Sequence, residues 1–578
     1  MSPPGDTDAL LAAFVDELAR CGLRDACTSP GSRCAPLVLA LARESRLRCH
    51  SHIDERSAAF FALGAAKASR RPVALTCTSG TAVAELLPAV VEAHEARVPL
   101  IVLSADRPPE LREVGAGQTI DQLGIFGAFA KWFFDVGVLE GARQRWLRTL
   151  ACRAWWTALD GRPGVVHLNV ALREPLVSDA PPAPPAGGGR PDGRPLVTRS
   201  PARLLHPEDD RSLTEAIASC RRGVLVAGRH ERDTPLGAAA AGFCARAGWP
   251  LLADPLSRAR RGAAAIAHYD ALLRVEGFGE RLRPEIVLRV GDLPTSKPLR
   301  AWLAAMPEVP QAAIDAEGLW QDPDAALCRV FSLEPAAALA ALRAPSGDPD
   351  WLAEWRRADE LAAEAIGGAL AGGEDLSEPR VAAELGVLLP ERATLFVASS
   401  MPVRDIESFW PARADPPRAL CNRGANGIDG TVSSAFGAAA VAGPDEPVVL
   451  LIGDVALAHD IGALLAASRL ELKLTIVLLN NGGGAIFDFL AVSRAPLALQ
   501  EDRYERHIAT PTGLDFARAA DLYGLEHEPV GDAPALRAAL ERALASRAST
   551  LIEVSSERAA NAALHARVWE AVAAALGR

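Results

Sequence analysis

The feature that most constrains this chain is a short, nearly continuous apolar run that recurs along its length, bounded by turn residues and spaced by helical patterns. Runs this short do not make helices, and they lack the alternation of a strand with one wet face, so they read as parallel strands buried on both faces with crossover helices between them. Residues 73–78, a helical pattern over about 82–96 and a second run at 98–104 form one βαβ unit. Similar runs occupy 224–227, 251–254 and 286–290, then 395–398, 448–452, 475–479 and 551–554. A chain of 578 residues exceeds what one core supports. Its breaks are the Pro- and Gly-rich linker from Ser178 to Pro201 and the weaker "APSGDPD" at 344–350. Three α/β domains are predicted, 1–180, 200–345 and 350–578, each doubly wound around a mainly parallel sheet with ligands beyond the carboxyl ends of the strands.

The net charge of −11 excludes nucleic acid and anionic lipid as main partners, so an anionic ligand must be met by local positive groups. The ten cysteines contain no CxxC pair and read as free thiols. Neither a leader pattern nor a membrane-length apolar stretch is present, which makes a cytoplasmic protein the expectation.

Two polar motifs end strands of the third domain. "GD" at Gly453-Asp454 closes one run, and some twenty-five residues later "NNGGG" closes the next, with Asn481 and Gly483 in its turn. A carboxylate, an amide oxygen and a carbonyl freed by a glycine-rich turn are hard oxygen ligands suited to Mg2+, and nearby amides at a helix start favour a diphosphate. Each dipeptide alone also reads as an N-cap and an Asn-Gly turn. In the first domain, "HIDERSAAFFALG" puts Glu55 at a helix start ahead of an apolar face, where burial would raise its pKa; Asp54 and Glu55 equally suit a helix N-terminus.

A third set is basic: Ser32 and Arg33 in "SPGSR", Arg107 in "SADRPPEL", Gln118 in "GAGQTIDQ", Ser400 and Arg404 in "SSMPVRD", and Arg423 in "NRGANGIDG". Each arginine is expected at a strand end or loop. Isolated arginines there are usually surface ion pairs. Several beside Gly, Ser and Pro in an acidic chain point to a pocket for substrates bearing carboxylates, which guanidinium forks bind bidentately.

Together the blocks "SPGSR", "HIDERSAAFFALG", "TSGTA", "SADRPPEL", "NRGANGIDGT" and "NNGGGAIF" resemble the 2-succinyl-5-enolpyruvyl-6-hydroxy-3-cyclohexene-1-carboxylate (SEPHCHC) synthases, thiamine diphosphate enzymes of menaquinone biosynthesis. The resemblance runs from about Ala9 to the end and departs from the commonest metal motif at Val455. It implies a pyruvate-decarboxylase-like architecture with an N-terminal pyrimidine-binding domain, a central domain and a C-terminal diphosphate-binding domain. It also implies decarboxylation of 2-oxoglutarate and addition of the succinyl carbanion to isochorismate, in a homodimer or homotetramer with active sites between subunits.

By the same resemblance Glu55 activates the coenzyme and Ile428 holds it bent. Gly453, Asp454, Asn481 and Gly483 complete the cofactor site, the last three with Mg2+, for which Mn2+ substitutes. Ser32, Arg33, Arg107, Gln118 and Lys297 face isochorismate, although Pro298 stands where the family often has a second basic residue. Ser400, Arg404 and Arg423 hold the succinyl carboxylate, and Ile486, Phe487 and Leu490 form an apolar wall, a pattern that also suits plain core. The alternatives are another thiamine diphosphate carboligase or decarboxylase of smaller 2-oxo acids, and a catalytically silent regulatory subunit of the same fold. The central "GVLVAGR" lacks a full GxGxxG, so a structural or regulatory role is expected there.

Overall fold

A computed structural model describes residues 4–139, 143–177, 188–199, 207–371 and 376–577. Residues 178–187 and 200–201 of the expected linker lie outside the described residues. Residues 188–199 pack back on helices Pro4–Cys21 and Gln144–Leu159: Arg20 donates to the Arg190 carbonyl at 2.9 Å and the Trp156 indole to that of Val197 at 3.1 Å.

The described residues form three α/β sheets in which every strand pair is parallel. The first contains β1 (Asp25–Thr28), β2 (Arg48–Ser51), β3 (Val73–Cys77), β4 (Leu100–Asp106), β5 (Ala130–Val138) and β6 (Val165–Ala171), in the order β2-β1-β3-β4-β6-β5. The second contains β7 (Gly223–Ala227), β8 (Leu251–Ala253), β9 (Ile286–Val290), β10 (Gln311–Ile314) and β11 (Arg329–Phe331), in the order β11-β10-β9-β7-β8. The third contains β12 (Thr394–Val397), β13 (Arg418–Leu420), β14 (Val448–Gly453), β15 (Thr475–Asn480), β16 (Glu526–Val530) and β17 (Thr550–Ser555), in the order β13-β12-β14-β15-β17-β16. The order reverses between β1 and β3, β7 and β9, and β12 and β14, and loops beyond the strand ends at such reversals are where α/β sheets bind ligands.

Packing divides the chain into two compact units that do not follow chain order. One comprises Met1–Ala202 with Asn422–Gly443 and His459–Lys473; the other comprises Arg203–Cys421, Pro444–Ala458 and Leu474–Arg578. In the first unit, helix Thr431–Val441 lies against helix Glu55–Ser69 at backbone contact. A Cβ added at Gly64 would overlap the Ser434 carbonyl, and one at Gly437 the Phe61 carbonyl, so only glycine permits this approach. In the second unit, Trp302, Trp351 and Phe278 pack edge-on around the fully buried Trp355.

Three expectations need correction. The helix read over about 82–96 is two, Thr81–Ala84 and Leu87–Ala96, because Pro88 sits in the first turn of the second, where it starts a helix but cannot continue one. The run read from Val98 becomes strand only at Leu100, since Arg97 ends the preceding helix with φ 58° and Pro99 follows. Arg404 lies neither at a strand end nor in a loop but inside helix Met401–Phe409. In the central sheet the crevice at the reversal is filled by the protein itself: Arg229 bonds Asp292 at 2.6 and 2.9 Å, both buried, and a Cβ at Gly228 would meet the Asp292 carbonyl.

Gly64→Ala is expected to destabilise the chain by about 1–3 kcal/mol or more in denaturant unfolding, the usual range for overpacking. Gly367→Ala, at a helical position where the added carbon meets nothing within 4 Å, is expected to be neutral or stabilising by up to about 1 kcal/mol.

Candidate functional site

In the first unit the chemistry-bearing residues follow the carboxyl ends of neighbouring strands. Ser32 and Arg33 follow β1, Glu55 follows β2, Ser79 follows β3 and Arg107 follows β4. Asp54 caps helix Glu55–Ser69, accepting from the backbone N–H groups of Arg56 at 2.9 Å and Ser57 at 3.3 Å, so Glu55 begins the helix with its carboxyl released from capping. Glu55 is half-buried. Desolvation raises its pKa above the ordinary carboxylate value, and the negative charges of Asp54 and Glu85 add to the rise. The field of Glu55 also reaches Cys34, whose thiol is pushed up to about 11 chiefly by burial, and the buried thiol of Cys77. This is the environment that proton sharing by a carboxyl requires.

The basic residues converge in part. Arg107 donates to the Ser79 hydroxyl at 2.8 Å and to the Gly117 carbonyl at 3.1 Å; Gln118 donates to the Ser79 carbonyl at 3.0 Å, and the Ser79 hydroxyl donates to the Gln118 carbonyl at 2.9 Å. Arg107 is lowered from its ordinary pKa by burial and by the nearby guanidinium of Arg33. Two like charges side by side are relieved by an anion, as the sequence reading of this group requires. Arg33 is 5% exposed and already bonds the Leu172 carbonyl at 2.7 Å and Glu174 at 3.1 Å, so part of its fork is committed within the chain. Ser32 is exposed. Ser79 and Gln122, whose amide oxygen accepts from Gly80 N–H at 2.9 Å, escaped the sequence reading; "TSGTA" marked the turn, but nothing identified its anchor.

Residues 422–430 of the same unit carry Arg423 and Ile428. Glu92 accepts from the N–H groups of Gly424 at 2.9 Å and Ala425 at 2.7 Å, and Lys67 donates to it at 3.3 Å; both side chains are almost wholly buried. A buried carboxylate with three donors makes a stiff clamp, since losing any partner strands a charge. Gly430, at φ 60°, packs against Phe60, and the Ile428 carbonyl accepts from the Thr431 hydroxyl at 2.8 Å. Arg423 and Ile428 are half-buried beside this clamp. Asp460 accepts from Ser433 N–H at 2.7 Å and from its hydroxyl at 3.1 Å, and burial pushes its carboxyl up to about 6.

In the second unit β14 and β15 pair with Gly453 opposite Leu479, which brings the polar ends of both strands to one edge. Asp454 starts helix Asp454–His459 and is 1% exposed. Burial raises its pKa, and backbone N–H groups of Val455 and Gly483 pull it back. Asn481 donates through Nδ2 to Glu378 at 2.9 Å. Asp454 Oδ2 and Asn481 Oδ1 are both buried without a hydrogen-bond partner among the described residues. Each such oxygen costs about 1–3 kcal/mol, so a pair of them beside the Gly483 turn fits a hard cation. Gly482 and Gly483 take φ 72° and 138°, which side chains reject, and a Cβ at Gly483 would also press on the Ala509 carbonyl. No cluster of three His, Cys, Asp or Glu occurs among the described residues, so a cation here would rest on this mixed oxygen set.

Ser400 and Arg404 meet: Arg404 donates to the Ser400 carbonyl, and Ser400 holds φ 75°, a strained value for a non-glycine residue. Ile486 and Phe487 are half-buried in a 3₁₀ turn, Phe487 packing near Tyr504 and Ala509, whereas Leu490 is 47% exposed in this chain. Lys297 is exposed at the start of helix Lys297–Ala304. A cavity of about 670 Å³ is lined by Asn481, Asp488, Tyr504, Glu505, Ser556 and Arg558. Arg558 bonds Glu505 at 2.7 Å, while its Nη1 is buried without a partner among the described residues. Neither Glu378 nor Arg558 carries a sequence signal; each lies far along the chain from Asn481.

Known proteins match this chain along nearly its whole length. Family models match residues 9–125 (thiamine pyrophosphate enzyme, N-terminal TPP binding domain), 203–397 (middle domain of thiamine pyrophosphate) and 405–554 (thiamine pyrophosphate enzyme, C-terminal TPP binding domain). The chain is similar to proteins named 2-succinyl-5-enolpyruvyl-6-hydroxy-3-cyclohexene-1-carboxylate synthase from three organisms. It is 44% identical to that of Geobacillus thermodenitrificans, covering 97% of this chain and 96% of that one. The identity is 42% for Chloroflexus aurantiacus and 39% for Listeria monocytogenes, each covering 98% of this chain and 97% of the relative.

Asp460 provides a pH test. Its folded pKa of about 6 lies above the unfolded value, so its contribution to stability is complete below pH 4 and is lost as pH rises through 6. Asp460→Asn keeps the shape and both bonds to Ser433. Its unfolding free energy relative to the parent is expected to increase by up to about 3 kcal/mol between pH 4 and 7, measured by urea denaturation at each pH.

Proposed function

Since the chain belongs to the SEPHCHC synthase family of thiamine pyrophosphate enzymes, we propose that it joins the succinyl group of 2-oxoglutarate to isochorismate with loss of CO2, a step of menaquinone biosynthesis. The observation that carries this reading is the pair of buried, unpartnered oxygens on Asp454 and Asn481 at the ends of neighbouring strands. Thiamine diphosphate, when bound, supplies an electron sink for the carbanion equivalent left by decarboxylation.

The chain's own residues then have distinct tasks. Asp454, Asn481 and the Gly483 carbonyl would hold Mg2+, with Gly453 beside them at the end of β14. Glu55, its proton affinity raised by burial, would share a proton with the pyrimidine ring of the coenzyme, and Ile428 would give it an apolar contact. Arg33, Arg107, Gln118 and Ser32 bind isochorismate, where the mutual repulsion of the two guanidiniums favours a carboxylate. Lys297 joins them as the substrate contact of the central domain. Ser400, Arg404 and Arg423 bind the distal carboxylate of 2-oxoglutarate. Ile486, Phe487 and Leu490 would exclude water from the reacting group.

Glu55 and Asp454 belong to different compact units. On this reading the protein is a cytoplasmic homodimer or homotetramer whose active sites lie between subunits, with residues 1–180, 200–345 and 350–578 as pyrimidine-binding, central and diphosphate-binding domains. Among the described residues no helix is long and apolar enough to cross a membrane.

Product analysis tests the reading. Enzyme with thiamine diphosphate, Mg2+, 2-oxoglutarate and isochorismate is expected to yield CO2 and the succinylated cyclohexene product in equal amounts, with pyruvate a poor donor. Turnover of pyruvate with no requirement for isochorismate would contradict it and favour a carboligase of smaller 2-oxo acids.

A further inference from the structure

We propose that Glu378 is a positioning residue that fixes the orientation of the Asn481 amide so that its oxygen faces the cation, an inference that rests on reading Asp454, Asn481 and Gly483 as cation ligands. Glu378 begins helix Glu378–Leu388 behind the capping hydroxyl of Ser377 and next to Pro379. An acid in a first turn usually lies at the surface, where it favours the helix dipole. This one is 1% exposed. Its Oε1 accepts two hydrogen bonds, from Asn481 Nδ2 at 2.9 Å and from the Ser556 hydroxyl at 3.1 Å.

An asparagine amide presents either its oxygen or its NH2 group to a given neighbour, and a half-turn about its last bond exchanges them. With Oε1 of Glu378 acting as acceptor on one side, only the NH2 group fits there. The amide oxygen is therefore held to the other side, where it lies buried and without a partner among the described residues. The reversed amide would set oxygen against oxygen at Glu378 and turn two N–H groups toward the cation, losing on both sides. The Ser556 bond ties Glu378 to the end of β17, which pairs with β15 from Thr475 to Asn480. Three distant segments thus hold one ligand in one rotamer, as outer partners of metal ligands commonly do.

Mn2+ binding to the full-length protein with saturating thiamine diphosphate, followed by the EPR signal of free Mn2+, tests this apart from turnover. Glu378→Met keeps the volume but removes the acceptor, and is expected to weaken Mn2+ by about 10- to 100-fold. Glu378→Gln, which retains an acceptor oxygen, is expected to stay within about threefold of the parent. Parent-like affinity in Glu378→Met, or a tenfold loss in Glu378→Gln, overturns the assignment, and the second result decides if the Met variant does not fold. Asp454→Ala is the reference: if it leaves Mn2+ affinity unchanged, the cation site itself is misplaced, a failure distinct from that of Glu378.

Discussion

Two oxygen atoms taken out of water without a partner are the constraint on which the rest of the second unit depends. Asp454 and Asn481 end adjacent parallel strands whose register brings both to one edge, and the hydrogen bonds nearby leave Oδ2 of one and Oδ1 of the other unsatisfied. A protein folds around such groups only when something else compensates their desolvation. The surroundings are built for that end: Gly482 and Gly483 adopt backbone angles closed to side chains, the Gly483 N–H steadies the Asp454 carboxylate, and Glu378 points the Asn481 amide.

The first unit solves a different problem, placing charges where water is scarce. Its helix Glu55–Ser69 is clasped by helix Thr431–Val441 through two glycines, and the segment just before that second helix is pinned by Glu92 and Lys67. Glu55 at the start of this rigid pair is partly withdrawn from water and has its proton affinity raised. Across the neighbouring strand ends, Arg33 and Arg107 raise a local positive field in a chain of net charge −11. The overall acidity and the anion-seeking edge coexist because screening confines each charge to about a Debye length of roughly 8–10 Å.

The central strands were legible because burial on both faces makes them continuously apolar, as in Val448–Gly453 and Thr475–Asn480. Most edge strands were not, with β8, an edge strand that reads Leu-Leu-Ala, the exception. β2 reads Arg-Cys-His-Ser and β16 reads Glu-His-Glu-Pro-Val, both partly exposed, and β5 carries two irregularities of register, so none shows an apolar run. β6 hides for another reason: His167 and Asn169 interrupt it although both are fully buried, each bonded to the Ser104 hydroxyl, at 2.7 and 2.9 Å. At the site, residues followed by glycine-rich turns could be found, since the turn itself is written in the sequence. Glu92, Ser79, Glu378 and Arg558 could not, because what makes each matter is a partner far along the chain, and a lone Glu or Arg in a helical stretch looks like solvated surface. Arg404 was found in its motif but expected at a strand end or loop, whereas Pro402 sits in the first turn of the helix that carries it.

A crystal structure of the protein with thiamine diphosphate and Mn2+, the ion located by its anomalous scattering, tests the central claim most directly. The expected result is one Mn2+ ligated by Asp454 Oδ2, Asn481 Oδ1 and the Gly483 carbonyl, with Glu55 hydrogen-bonded to the coenzyme's pyrimidine ring. An ion bound to other residues, or a coenzyme whose ring lies away from Glu55, would contradict it.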